Sequence, residues 1–252
     1  MATVNEKMTA IANEIRGFTG ETGKLSLDDM ASDIGIVHAV GRSEGMALAQ
    51  TKPYIDTSQI TDFYYFCYGD RRNQIISYLD TSSGTSFDYM FCNCKNLAAI
   101  PELNVSRGTS FNSMFASCSS LAIIPPLDTS NGTNFSSMFR ASAGVTTIQQ
   151  LDVSKGTSFS SMFASCTNLT SLTFTGIIPT TLDLKSAPLN KASIKNVIEH
   201  LSIVASGKTL TLNKTAVNSA FGIDVEDETT YPAGSEYYNL RNSKSNWTIS
   251  YS

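Results

Sequence analysis

LDTSSGTSFDYMFCNCKNLAAIPE (residues 79–102) is followed by LNVSRGTSFNSMFASCSSLAIIPP (103–126), LDTSNGTNFSSMFRASAGVTTIQQ (127–150) and LDVSKGTSFSSMFASCTNLTSLTF (151–174), one phrase written four times at a spacing of 24 residues. Leu79, Leu103, Leu127 and Leu151 mark its beginnings. One step earlier, Ile55-Asp56-Thr57-Ser58 and Phe63 hold the matching places, which makes five coils with a degenerate first. A period of this length signals a repeat architecture, in which no unit can bury its apolar face alone and neighbours must stack.

Two periods succeed each other inside a coil. Phe87, Met90, Phe91 and Cys94 stand at i, i+3, i+4 and i+7, which predicts one face of a short helix. Thr85 or Ser86 is placed to cap it. Leu97 and Ile100 then lead to Leu103 as a short extended segment, interrupted by Pro101. Gly84, Gly108, Gly132 and Gly156 recur before the helix, where a turn needs a residue without Cβ. Each strand should pair in parallel with the next coil, about 4.8 Å away, through a right-handed connection. Each Phe should stack on the Phe of the preceding coil.

The core Phe91, Cys94, Leu97, Ile100, repeated as Phe115, Cys118, Leu121, Ile124, resembles the bacterial surface-protein type of leucine-rich repeat, and the resemblance spans residues 55–178. It implies an α/β fold: a right-handed leucine-rich-repeat-like solenoid with one short parallel strand and one short helix per coil. The coil from Leu127 departs from the pattern, with Ser142 for Cys, Val145 for Leu and Gln149 for Pro. Ser for Cys should bend the stack locally without breaking it.

A bare stack exposes its interior at both ends, so caps are expected. Residues 1–50 read as a helical docking or capping segment: Val4, Met8, Ile11 and Ile15 form an amphipathic stripe, and Ser26 to Asp29 opens a second helix through Met30 and Ile34. Residues 51–178 are the five coils, and 179–252 the C-terminal cap. There a helix with Ile194, Val197, Ile198 and Leu201, the strand Lys208–Leu212, a helix over Ala216–Phe221 and the strand Trp247–Tyr251 read as two longer coils continuing the same sheet.

VNEKMTAIANEIRGFTGETGKLSLDDMASDI (residues 4–34) resembles the N-terminal segment of tail-associated proteins in phages and prophages of Gram-positive gut bacteria. The KTLTL strand followed by NWTIS is similar to the end of leucine-rich proteins in such phages. The resemblance implies a virion tail protein assembled in the host cytoplasm, its N-terminal helices docking it to the particle. A cell-surface adhesin of leucine-rich-repeat type is the alternative.

Charged residues are 16% of the chain and the net charge is −4, with Ser, Thr and Asn filling the deficit. Neither nucleic acid nor an anionic membrane finds a basic patch here. The N-terminus lacks the cationic and apolar succession of a secretion signal. No run approaches a membrane span.

Chemistry finds few candidates. Cys67, Cys92, Cys94, Cys118 and Cys166 are an odd set lying on the apolar stripe, which favours buried thiols over disulfides, zinc or a nucleophile. His38 and His200 are far apart in sequence. Gly17 to Lys24 lacks the spacing of a phosphate loop, with Phe18 and Leu25 at its required positions. Asp80, Asp128 and Asp152 share one repeat position, where turn formation is the simpler account than calcium. No catalytic, cofactor-binding or metal-ligating residue and no cofactor is therefore expected. The candidate binding surface comprises Tyr64, Tyr65, Tyr68, Arg71 and Arg72 in the first coil, with Tyr78 nearby, and Glu102, Gln150 and Phe174 along outward columns. Expected partners are other tail or baseplate proteins and a host cell-surface glycan or protein, and an oligomer is compatible with the reading.

Overall fold

The computed structural model describes residues 57–69, 79–100 and 102–252. The expected N-terminal helices, Gly17 to Lys24, His38, Arg71, Arg72, Tyr78 and Pro101 lie outside the described residues. Within them, successive coils are joined at intervals of 24 residues: parallel bridges link Asp62, Ser86, Ser110, Asn134 and Ser158 in turn.

The segment expected to be helical is instead a run of three overlapping four-residue turns. The amides of Phe87, Tyr89, Phe91 and Asn93 donate to the carbonyls of Ser110, Asn112, Met114 and Ala116 in the next coil. The alternate amides of Met90, Cys92 and Cys94 donate to Phe87, Tyr89 and Phe91 within their own coil. A helix would spend its amides on residues four positions back. Two of these residues also sit in the left-handed region, Tyr89 at φ 59° and Asn93 at φ 64°. The helical stripe in the sequence has a simple origin. Turns repeating every four residues bring Phe87 to the position of Phe91, and Met90 to that of Cys94, and all four are buried.

Thr85 caps no helix either. Its Oγ1 donates to Thr61 O (3.1 Å) in the preceding coil, and Thr109, Thr133 and Thr157 repeat the bond at 3.0–3.1 Å.

The rings form two ladders. Phe63, Phe87, Phe111, Phe135 and Phe159 stack with centroids 5.5–5.7 Å apart. Phe91, Phe115, Phe139 and Phe163 do so at 5.5–5.8 Å. Burying one such side chain stabilises by about 2–3 kcal/mol, and a ring pair adds about 0.5–1.5 kcal/mol. Gly132 belongs to this packing. Its φ is not left-handed, but a Cβ there would stand 2.4 Å from Phe135 Cζ and 2.9 Å from Phe111 Cε2. The recurring glycine therefore leaves space for rings, where the sequence reading gave it a turn conformation.

The interior also holds a column of thiols. Cys94, Cys118 and Cys166 Sγ donate to the carbonyls of Cys67, Phe91 and Phe139 at 2.8–3.0 Å. Ser142 makes the same bond to Phe115 O and accepts from Cys118 N. The hydroxyl thus takes over the role of the thiol.

Later in the last three coils lie the parallel strands β1 (Ile123–Ile124), β2 (Thr147–Leu151) and β3 (Ser171–Phe174), while the expected extended segment at Leu97 to Ile100 forms no strand. Ile123, Thr147 and Ser171 are in register, as are Ile124, Ile148 and Leu172. The register then slips, and Leu151 pairs with Phe174.

The sheet does not continue into the C-terminal part. Helix α1 (Lys191–Glu199), whose N-cap Asn190 accepts from Ser193 N, closes it with side chains. Ser193 Oγ accepts from Leu172 N (2.9 Å), while Asn196 accepts from Phe174 N (2.7 Å) and donates to Phe174 O (3.1 Å). Three further strands, β4 (Leu182–Leu184), β5 (Lys208–Leu212) and β6 (Trp247–Tyr251), form a second parallel sheet. Helices α2 (Lys214–Phe221) and α3 (Glu236–Asn242) connect β5 to β6, started by the capping side chains of Asn213 and Ser235. Ile194, Val197, Ile198, Leu210, Leu212 and Val217 carry the apolar interior through this part. Among the described residues no helix is long and apolar enough to cross a membrane.

Candidate binding surface

The overlapping turns decide what each coil shows outside. With Phe and Met turned inward, the residues between them lie nearer the outside, and in the first two coils these include tyrosines. Tyr64, Tyr65 and Tyr68 are 51%, 42% and 43% exposed, and Tyr89 is half-buried beside them. Their rings hold one another: Tyr65 lies 4.4 Å from Tyr64, 4.7 Å from Tyr68 and 4.9 Å from Tyr89, centroid to centroid.

The backbone beneath is fixed at both levels. Tyr65 N donates to Asp88 O in the next coil (3.2 Å), Tyr68 N closes the turn on Tyr65 O (3.1 Å), and Tyr64 N donates to Asp62 Oδ1 (3.1 Å). Tyr65 holds φ 57°, a conformation that a bulky residue seldom adopts. Its hydroxyl pKa is pushed up to about 12, first by its hydrogen bond with Tyr64, then by partial burial and by the neighbouring phenols. It stays a neutral donor at any physiological pH.

The patch is local. In later coils the place of Tyr65 and Tyr89 passes to Ser113, Ser137 and Ser161, and that of Tyr64 to Asp88, Asn112, Ser136 and Ser160. Asp88 is committed to the stack, its Oδ1 accepting from Asn112 N (2.8 Å) and Ser110 Oγ (2.5 Å).

Of the residues singled out in the sequence, the three tyrosines are brought together. Glu102 and Gln150 are exposed on other coils. Phe174 is no surface residue: it is 1% exposed, because the register slip after β2 seats it opposite Leu151 instead of beyond Gln150. Tyr89 joins the three tyrosines from the second coil, where it stands 24 residues after Tyr65, so the repeat spacing itself signals it.

The remaining polar groups serve the fold. Asp80, Asp128 and Asp152 each accept from the amide two residues on, at Ser82, Ser130 and Ser154, and Asn104 does the same with Ser106. Burial, the largest cause in each case, pushes the Cys118 thiol far above its ordinary range and that of Cys166 up to about 12, opposite to the shift that activates a nucleophile. His200 Nδ1 lies 2.7 Å from Asn196 O, within its own helix turn.

Residues 46–139 and 100–175 match a family described as "Mycoplasma protein of unknown function, DUF285", and together these matches cover just over half of the chain. No curated protein and no solved structure matches it.

Proposed function

This chain belongs to the DUF285 family, and on that premise we propose that it is a non-enzymatic binding scaffold of the phage tail or baseplate. In this reading the coils form a right-handed leucine-rich-repeat-like solenoid that presents its surface to a host cell or a partner protein. The tyrosine cluster Tyr64, Tyr65, Tyr68 and Tyr89 carries the proposal. Tyrosine offers a large amphipathic contact area at low entropic cost, stacking through its ring and hydrogen-bonding through its hydroxyl. Here the rings brace each other on a backbone locked to the next coil, so little freedom remains to be lost on binding.

The virion assignment is supported by the resemblance of residues 4–34 and of the closing strands to phage tail-associated proteins. Its partners are other tail proteins and a host-surface glycan or protein, without nucleic acid or membrane insertion. The second reading, a cell-surface adhesin-type module, is favoured by a family description that refers to proteins of a cellular organism.

Mass spectrometry of purified induced phage particles separates the two. Recovery with the particles supports the first reading, and recovery only from the bacterial envelope supports the second. Replacing the four tyrosines by Ala should weaken attachment to host cells about tenfold or more, the scale of lost interface anchors. Unchanged attachment with the fold intact removes the cluster from the account.

A further inference from the structure

We propose that β6 is a self-pairing edge, and that two copies of the chain join β6 to β6, antiparallel, about a two-fold axis at Ile249. The two sheets treat their last strands differently. The outer edge of β3 is occupied by Ser193 and Asn196 of α1. At β6, Ser252 N donates to Leu212 O and Ser252 O accepts from Lys214 N, so Ser252 turns its backbone toward β5. With the two-residue period of a strand, Ser250 and Thr248 do the same, and Trp247, Ile249 and Tyr251 turn theirs outward. Among the described residues, Trp247 N, bonded to Lys244 O at 2.9 Å, is the one outward group with a partner.

The strand has none of the usual protection of a monomer's edge. Asn246 through Ser252 carries no charged side chain and no proline, whereas natural exposed edges carry Lys, Pro or a bulge. The strand reads the same in both directions as chemistry: Trp247 aromatic, Thr248 hydroxyl, Ile249 aliphatic, Ser250 hydroxyl, Tyr251 aromatic. A two-fold at Ile249 sets Ile249 against its own copy, Trp247 against Tyr251 and Thr248 against Ser250. Ile249 N would then donate to Ile249 O of the other copy, and Tyr251 N to Trp247 O, each bond occurring twice. Ile249 and Tyr251 remain only partly buried against the core, and the joined sheet would cover what they still expose. Self-complementarity of this kind is what an isologous interface requires.

Sedimentation of the full chain at rising concentration should reveal a species of twice the 27.2 kDa of one chain. In that species the amides of Ile249 and Tyr251 should exchange slowly with solvent. Ile249→Pro removes an outward N–H and no bond within the chain, so it should give a monomer. Should that variant fail to fold, Ile249→Cys gives a second reading. Directly opposed residues in a hydrogen-bonded antiparallel pair lie about 5.5 Å apart at Cα, within disulfide reach. Mild oxidation should then yield a covalent dimer with Ile249→Cys, and neither with Thr248→Cys nor with the unaltered chain. A monomer at every concentration, or equal cross-linking of Ile249→Cys and Thr248→Cys, overturns the proposal.

Discussion

The coils up to Phe174 and the C-terminal part from Leu182 both pair parallel strands around an apolar interior, yet they satisfy their polar groups in opposite ways. In the coils alternate amides reach the next coil, thiols reach back to the preceding one and each ring stacks on its neighbours, all at fixed offsets, as in the bonds of Phe87 to Ser110 and of Cys118 to Phe91. In the C-terminal part each element is finished individually: Asn190, Asn213 and Ser235 start the three helices, and Gly222 ends α2 in the left-handed conformation. Repetition makes the first region a sum of nearest-neighbour contacts. Particular side chains hold the second, and Asn196 joins the two.

The comparison is broken most severely at the centre of a ring ladder. Phe111→Ala removes a fully buried ring with a stacked neighbour on each side, and should cost about 3–5 kcal/mol in denaturant unfolding. Phe159→Ala, at the ladder's end with one ring neighbour and 6% exposure, should cost less. Equal losses would deny the stack its nearest-neighbour character.

Gly132→Ala drives a methyl group into Phe135 and Phe111, and should lower stability by about 1–3 kcal/mol. At the junction, Asn196→Ala strands both the N–H and the C=O of Phe174. A loss of about 1–3 kcal/mol is expected, with faster exchange of the Phe174 amide as the local signature. Cys118→Ser should change stability by less than about 1 kcal/mol, since Ser142 already makes the corresponding bond one coil later.

The smallest effect has the opposite sign. Ala141 holds φ 58° in the last turn of its coil, so Ala141→Gly relieves strain of about 1–2 kcal/mol. It returns about 0.5–1 kcal/mol through unfolded-chain entropy, leaving a net gain of about half a kcal/mol in thermal unfolding.

These residues also show what a sequence can carry. The 24-residue spacing of the phenylalanines is the spacing of the ring stacks, and the Cys–Leu–Ile succession marks the interior. Local conformation was not legible, because overlapping four-residue turns imprint the same stripe as a helix, and what separates them is the positive φ of Tyr89 and Asn93 and the amide bonds to the next coil. Phe174 was misplaced because one slipped register moves a side chain to the other face. Asn196 gave no signal at all: a polar residue on a helix reads as solvent-facing until a strand edge is laid beside it. Tyr89 is legible, because the 24-residue spacing from Tyr65 holds on the surface as it does in the core.

A double-mutant cycle between Phe111 and Phe135 tests the stack most directly, with Phe111 and the remote Tyr237 as control. The account predicts a coupling of about 0.5–1.5 kcal/mol for the stacked pair and none for the control. Strictly additive losses at Phe111 and Phe135 would contradict it.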